Sequence, residues 1–325
     1  MKDSISIVLC SYNGKRFLQE QLDSILSQTC HQWQLMARDD LSSDGSEDVL
    51  RDFGTLGGSS DIVPNDKIRL GVKGNFSFML EKALETSSRY IALSDQDDVW
   101  VTNKLSEQLE LMKKLEQSFA NSPLLIYSDL EVVDVTLSSI APSMMRFNGF
   151  KHEAKNTLSV LLSQNFVTGC TVLINKPLLE IALPIPNEAL MHDWWLALCA
   201  AVFGQIGFID EPLVMYRQHD SNEVGAKNIR DFINPFSKSW LKRWLEGKDN
   251  LFQSMKQAEA LAERIRERDP HNSNLALVED YAELQGASGV QRIKRIKQLG
   301  IHAQSKTRHL LLLSRLLSSP SSNDG

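Results

Sequence analysis

The chain alternates between short, nearly continuous apolar runs and longer segments in which apolar residues recur every three or four positions. Ile5-Ser6-Ile7-Val8-Leu9-Cys10 is rich in β-branched residues and almost unbroken in apolar character, which predicts a strand buried on both faces. Gly14 marks a turn, and Phe17, Leu18, Leu22, Ile25 and Leu26 then fall on one side of a helix. A second strand, Trp33 to Ala37, runs into Arg38-Asp39-Asp40. The cluster Ser42-Ser43-Asp44-Gly45-Ser46 is turn and cap chemistry ahead of a helix through Val49, Leu50 and Phe53. The same rhythm predicts a short strand at Lys67 to Leu70, a helix from Asn75 to Leu84, and a strand at Tyr90 to Leu93. It continues with an amphipathic helix from Lys104 to Leu115 and a strand at Leu124 to Tyr127. Val167 to Ile174 reads as a strand broken by Gly169, and Leu190 to Phe203 as a helix after a Pro-rich turn. From Phe232 onward the pattern is helical.

Strands alternating with helices predict an α/β fold with a mostly parallel mixed sheet covered by helices. In such sheets ligands bind beyond the carboxyl ends of the strands. Attention therefore falls on Ser11-Tyr12-Asn13, Arg38-Asp39-Asp40 and the run Ser94-Asp95-Gln96-Asp97-Asp98.

At 325 residues the chain has room for one enlarged catalytic domain and an appended region, drawn here as 1–225 and 226–325. Hydrophobic residues at 42% and charged residues at 23% are ordinary for a water-soluble chain, and no apolar stretch approaches the roughly 20 residues of a bilayer span. Cys10, Cys30, Cys170 and Cys199 form no CxxC pair, so a zinc knuckle or disulfide framework is not expected. The start of the chain lacks the long apolar core of a secretory signal, and a cytoplasmic location is the expectation.

Three carboxylates within four residues repel one another, and a divalent cation or a cation-bound diphosphate relieves that cost. An acidic surface turn is the plain alternative, but the run directly follows an apolar strand. Five motifs now line up: Ile7 to Asn13, Arg38 to Gly45, Ser94 to Trp100, His192-Asp193-Trp194-Trp195 and Tyr216-Arg217-Gln218-His219. In that order, over about the first 220 residues, they resemble the family 2 glycosyltransferases with the GT-A fold, most of all bacterial rhamnosyltransferases of surface-polysaccharide synthesis.

The resemblance implies an inverting transferase that moves a sugar, rhamnose from dTDP-rhamnose, onto a lipid-linked glycan acceptor with Mg2+ or Mn2+. It implies that Ser11, Tyr12 and Asn13 line the nucleotide pocket and that Asp39 or Asp40 accepts from the base. Arg69, Lys73, Asp95, Gln96, Asp97 and Arg217 are candidates for the rest of the donor. Asp97, Asp98 and His219 are candidate metal ligands. Asp193 matches the catalytic base, and Gly169, His192, Trp194 and Trp195 the acceptor side. Because adjacent helical residues point about 100° apart, at most one of the two tryptophans is expected to face a sugar. The family carries Gly after the paired aspartates, whereas Leu41 stands here.

From Leu284 to Asn323 there are seven Lys and Arg and no acidic residue, with Leu310 to Leu313 embedded among them. Such a segment either lies in a membrane interface beside anionic headgroups or packs as a helical hairpin on the catalytic domain or a second subunit. Nucleic-acid binding fits poorly, since aromatic platforms are missing from the segment. Two other functions stay open on sequence: a nucleotidyltransferase making a nucleotide sugar, for which Ser11 to Lys15 is a thin phosphate loop, and a non-catalytic glycan-binding subunit. The intact Asp193 speaks against the latter.

Overall fold

The structure is a computed structural model, described here for residues 4–55, 60–65, 67–219 and 240–318. It divides into two compact units whose segments interleave along the chain. The first takes Met1–Met144, Val167–Ile185 and Phe203–Gly225; the second takes Met145–Phe166, Pro186–Val202 and Ala226–Gly325. The boundary drawn from sequence at 225/226 lies outside the described residues.

The first unit is built on a nine-stranded mixed sheet. Its strands are β1 (Ile5–Ser11), β2 (Trp33–Asp39), β3 (Ser60–Ile62), β4 (Tyr90–Ser94), β5 (Val99–Trp100), β6 (Leu124–Val133), β7 (Ser139–Ala141), β8 (Leu173–Asn175) and β9 (Gln205–Arg217). The order is β3-β2-β1-β4-β8-β6-β9-β5, with β7 beside β6. β1, β2, β3 and β4 run parallel, in the register Ser11 with Asp39 and Leu9 with Ser94. β8 joins β4 and β6 in antiparallel fashion, while β6 and β9 are parallel. Every residue of β1 and of β4 is buried, as their apolar runs require.

Numbering the described helices in chain order, α1 (Lys15–Leu26), α2 (Ser46–Thr55), α3 (Gly71–Leu84), α4 (Lys104–Ser118) and α7 (Lys176–Ala182) belong to this unit. α1 buries Phe17, Leu18, Leu22 and Ile25, the stripe seen in the sequence. The strand expected at 67–70 does not form. Those residues lead into α3, and the N–H groups of Leu70 and Gly71 go to the Asp40 carboxylate, so no ladder partner is needed. Between 167 and 174 a 3₁₀ turn over Gly169–Thr171 precedes β8. β9, thirteen residues long, is an element the sequence pattern did not signal.

The second unit is helical: α5 (Met144–Asn148), α6 (Thr157–Leu161), α8 (His192–Phe203), α9 (Trp240–Arg268), α10 (Leu275–Ala282), α11 (Gly289–Gln298) and α12 (Lys306–Leu316). Leu251, Met255, Ala258, Ala262 and Ile265 make a buried stripe along α9 at alternating spacings of four and three. Tyr281 of α10 lies fully buried, its hydroxyl 2.7 Å from Ser254 Oγ of α9. No described helix is long and apolar enough to cross a membrane.

Candidate active site

The carboxyl ends of β1, β2 and β4 bring three of the sequence motifs together. α1 begins without a side-chain cap of its own, leaving its first N–H groups to be satisfied from outside. The loop after β2 supplies the acceptors: Ser42 Oγ takes Asn13 N–H at 2.7 Å, Ser46 Oγ takes Gly14 N–H at 2.9 Å and Asp44 takes Lys15 N–H at 3.0 Å. Asn13 Oδ1 accepts in return from Ser43 N–H at 2.9 Å. The serine-rich turn and the first loop are therefore one hydrogen-bonded unit.

Gln96 ties this loop to the acidic run. Its Oε1 accepts from Tyr12 N–H at 2.6 Å and Ser11 Oγ at 3.1 Å, and its Nε2 donates to Tyr12 O at 3.0 Å. The amide thus holds the Tyr12 peptide from both sides. A Cβ added at Gly14 would stand 2.2 Å from Gln96 Oε1, so this close approach requires glycine. Arg69 lays its guanidinium 3.9 Å over the Tyr12 ring, forming an aromatic and cationic platform. Lys73 lies in the first turn of α3.

The paired aspartates have separate tasks. Asp40, 2% exposed, receives the N–H groups of Leu70 and Gly71 at the start of α3 and pairs with Arg38 at 2.9 Å. Arg38 also donates to Asn75 Oδ1 and Ile68 O. This buried network holds the loop before α3. Asp39 accepts from Ser42 N–H at 2.7 Å and Ser42 Oγ at 2.5 Å, and stands at the end of β2. Leu41, which follows the pair, has φ +64°, the left-handed region that the family's glycine would occupy freely.

The metal candidates fall into two groups. Asp97 Oδ2 meets His219 Nε2 at 2.8 Å, with both side chains retaining slight exposure. Asp98 is wholly buried; Oδ1 accepts from Arg217 N–H at 3.2 Å, and Oδ2 meets no N–H or O–H donor. One ligand atom from each of Asp98, Asp95 and Cys170 gathers within 4.8 Å. Cys170 is a neighbour that the sequence reading passed over; it had no local signal beyond its place beside Gly169. Burial, then the charges of Asp97 and Asp95, push the Asp98 carboxyl well above the usual carboxylate range. Burial and the Asp98 charge likewise push the Cys170 thiol up. Three carboxylates, one of them with a buried oxygen that meets no N–H or O–H donor, and an imidazole suit a hard divalent cation.

Arg217 differs from the expectation that it contacts the donor. Its side chain is 1% exposed and donates to Asp97 O at 3.0 Å, Val135 O at 2.8 Å and Glu20 Oε2 at 2.6 Å, against the Phe17 ring. With its nitrogens so occupied it is a positioning residue that shapes the acidic turn. Lys104 is a second buried cation: its Nζ lies 3.6 Å from the Trp100 ring centroid without a hydrogen-bond acceptor, and burial lowers its pKa to about 7.

In the second unit, Asp193 occupies the first turn of α8 and is half-buried, its Oδ1 2.6 Å from Trp194 N. Trp194 is also half-buried and donates its indole N–H to Leu161 O at 2.6 Å. Trp195 is fully buried with Arg264 5.6 Å from its ring centroid, so it is core and offers no face to a sugar. His192 is 4% exposed, and burial drives its pKa down to about 3, which keeps the imidazole neutral. Gly169, in the first unit, opens the 3₁₀ turn and is buried.

Comparison with known proteins bears on this arrangement. The profile of the family described as "Glycosyl transferase family 2" matches residues 6–180. The dTDP-rhamnosyl transferase RfbG of Shigella flexneri is 28% identical over 230 residues, covering 67% of this chain and 74% of that protein. The Escherichia coli UDP-Glc:alpha-D-GlcNAc-diphosphoundecaprenol beta-1,3-glucosyltransferase WfgD is 28% identical over 195 residues, 58% of this chain and 68% of its own. Among solved structures, S. aureus TarS 1-349 in complex with UDP-GlcNAc aligns with TM-score 0.56 at 14% identity, over 96% of this chain and 87% of that one. The mannosyltransferase PcManGT of Pyrobaculum calidifontis, with GDP-Man and Mn2+, aligns with TM-score 0.56 at 14% identity, over 92% and 74%. Both likenesses concern the fold, which is GT-A.

Proposed function

Because the chain belongs to glycosyl transferase family 2, we propose that it is an inverting transferase carrying rhamnose from dTDP-rhamnose to a lipid-linked glycan in surface-polysaccharide synthesis. That it is a glycosyltransferase using nucleotide sugars in polysaccharide synthesis follows from the family and its relatives. The donor and acceptor are our reading, supported by the names of RfbG and WfgD. The observation that carries the site is the acidic turn Asp95-Gln96-Asp97-Asp98, fixed at the carboxyl end of β4 by Gln96 and Arg217.

In this reading the base of the donor packs beside the stacked Tyr12–Arg69 pair, with Asp39 accepting from its ring N–H. Asp40 serves the loop before α3 instead. Asp97, Asp98 and His219 would hold Mg2+ or Mn2+, which when bound neutralises charge on the diphosphate leaving group. Asp193 accepts the proton of the acceptor hydroxyl as that oxygen bonds to the anomeric carbon and the carbon–diphosphate bond breaks on the opposite face. Asp95 contributes charge at the mouth of the acidic turn. Trp194 is the remaining aromatic candidate for the acceptor side. The same reading places the protein at the inner face of the cytoplasmic membrane.

Two measurements test this. A donor panel of dTDP-rhamnose, UDP-glucose, UDP-GlcNAc and GDP-mannose, read as nucleoside diphosphate released with and without Mn2+, should favour dTDP-rhamnose; preference for another donor removes the rhamnosyl assignment. Asp193→Asn should keep donor affinity within about twofold while transfer falls at least about 100-fold. Parallel loss of binding and transfer would sink its assignment as base.

A further inference from the structure

The helical unit contains a small cleft of about 90 Å3 whose described lining lies within that unit and uses none of the residues placed in the transferase site. Arg308 and Arg315 of α12 line it, with Gln164 and Thr307 as further polar walls and Gly247 of α9 opposite. Among the described residues that line it, none is acidic. Arg308 is partly committed, donating to Asn148 O at 3.0 Å and packing 4.4 Å from the Phe150 ring centroid. Arg315 is not: among the described residues its guanidinium makes a single hydrogen bond, to Arg243 O at 3.5 Å, and its buried Nε has no acceptor. Among the described residues no carboxylate lies within 4.0 Å of it. Gly247 gives it room, since a Cβ there would stand 2.2 Å from Arg315 Nη2.

An arginine has five N–H donors in a planar fork, and a half-buried one that spends so few of them gains when a ligand accepts the rest. Both guanidiniums are less basic than usual, chiefly through burial, and the charge of Arg315 adds to the effect on Arg308. Two like charges lowered in this way gain from a shared dianion. The opposite end of the cleft is apolar, formed by Leu251, Leu311 and Leu312. A phosphate at the arginines with a hydrocarbon chain along the leucines would satisfy both ends.

We propose that this cleft is a phosphate-binding site for an anionic amphiphile, with Arg315 as its principal ligand and Arg308 as the second. The proposal stands apart from the sugar-transfer reading and uses none of its residues.

The test uses the full chain and four forms: wild type, Arg315→Gln, Gly247→Ala and, outside the cleft, Lys297→Gln. Each is floated with phosphatidylcholine vesicles with and without phosphatidic acid, and titrated calorimetrically with inorganic pyrophosphate. Wild type should bind acidic vesicles and pyrophosphate. Arg315→Gln should weaken both by about tenfold or more. Gly247→Ala, which keeps every charge but displaces the guanidinium, should weaken both to a lesser extent, and Lys297→Gln should bind like wild type. Pyrophosphate binding without vesicle binding would keep the phosphate site but overturn the amphiphile as its source. Wild-type affinity in an Arg315→Gln or Gly247→Ala protein of unchanged melting temperature would overturn the site itself. So would equal weakening in Lys297→Gln, or no binding by wild type.

Discussion

Leu41 shows how a single residue can hold a conformation its chemistry resists. Its φ of +64° costs a branched side chain roughly 1–2 kcal/mol, and at 41% exposure the side chain recovers little by burial. Leu41→Gly should therefore stabilise the protein by about 0.5–1 kcal/mol after the entropic penalty of glycine, seen as a higher urea midpoint at unchanged slope. A lower midpoint would mean that the leucine side chain stabilises the loop in some other way. The same scale explains what could be read in advance about the aspartates. That Asp39 and Asp40 end a strand was visible in the sequence; their division of labour was not. Asp40 is committed by N–H groups thirty residues onward, which no local pattern announces.

At the scale of elements, β1 and β4 were legible because burial on both faces demands a nearly unbroken apolar run, and β2 through its shorter apolar stretch Leu35-Met36-Ala37. β9 was not. Its middle carries Asp210, Glu211 and Pro212, and its register against β6 shifts there. The segment 67–70 looked like a strand for the opposite reason, having apolar residues but a carboxylate in place of a pairing partner. The contact between β1 and β4 through Gln96 also escaped the sequence, although Gly14 was its trace. Gly14→Ala should push the Gln96 amide off the Tyr12 peptide and cost about 1–3 kcal/mol, with nucleotide affinity falling alongside stability. Calorimetry with dTDP on the folded variant reads the second effect. Undiminished affinity would separate the Tyr12 loop from nucleotide binding.

For the molecule as a whole, the buried charges near the acidic turn set a pH dependence of stability. Lys104 has a folded pKa of about 7 against an ordinary value of 10.5, so the unfolded chain binds more protons between those values. Stability should accordingly rise with pH from about 7 to 10.5. Asp98 acts in the other direction: its raised folded pKa means that stability falls as pH climbs above the ordinary carboxylate value. In EDTA, urea midpoints across pH should show both slopes. Lys104→Met should abolish the alkaline rise and stabilise the protein at pH 7 by an amount on the order of a few kcal/mol. A flat alkaline limb in wild type would rule out a neutral buried amine. At this scale the sequence also divided the chain as consecutive pieces, whereas 145–166 and 186–202 group with the C-terminal helices. Interleaving of that kind depends on contacts between distant segments, which periodicity does not encode.

The Gln96 clasp has a practical corollary for anyone exchanging parts between transferases. The four residues from Asp95 to Asp98 look like a portable cartridge, to be swapped when a different donor is wanted. Here the cartridge is keyed to its socket: Gln96 fits only where residue 14 lacks a side chain and the Tyr12 peptide faces it. A graft that carries the acidic turn alone would arrive without its lock, so residues 11–14 and 94–98 should travel as one cassette.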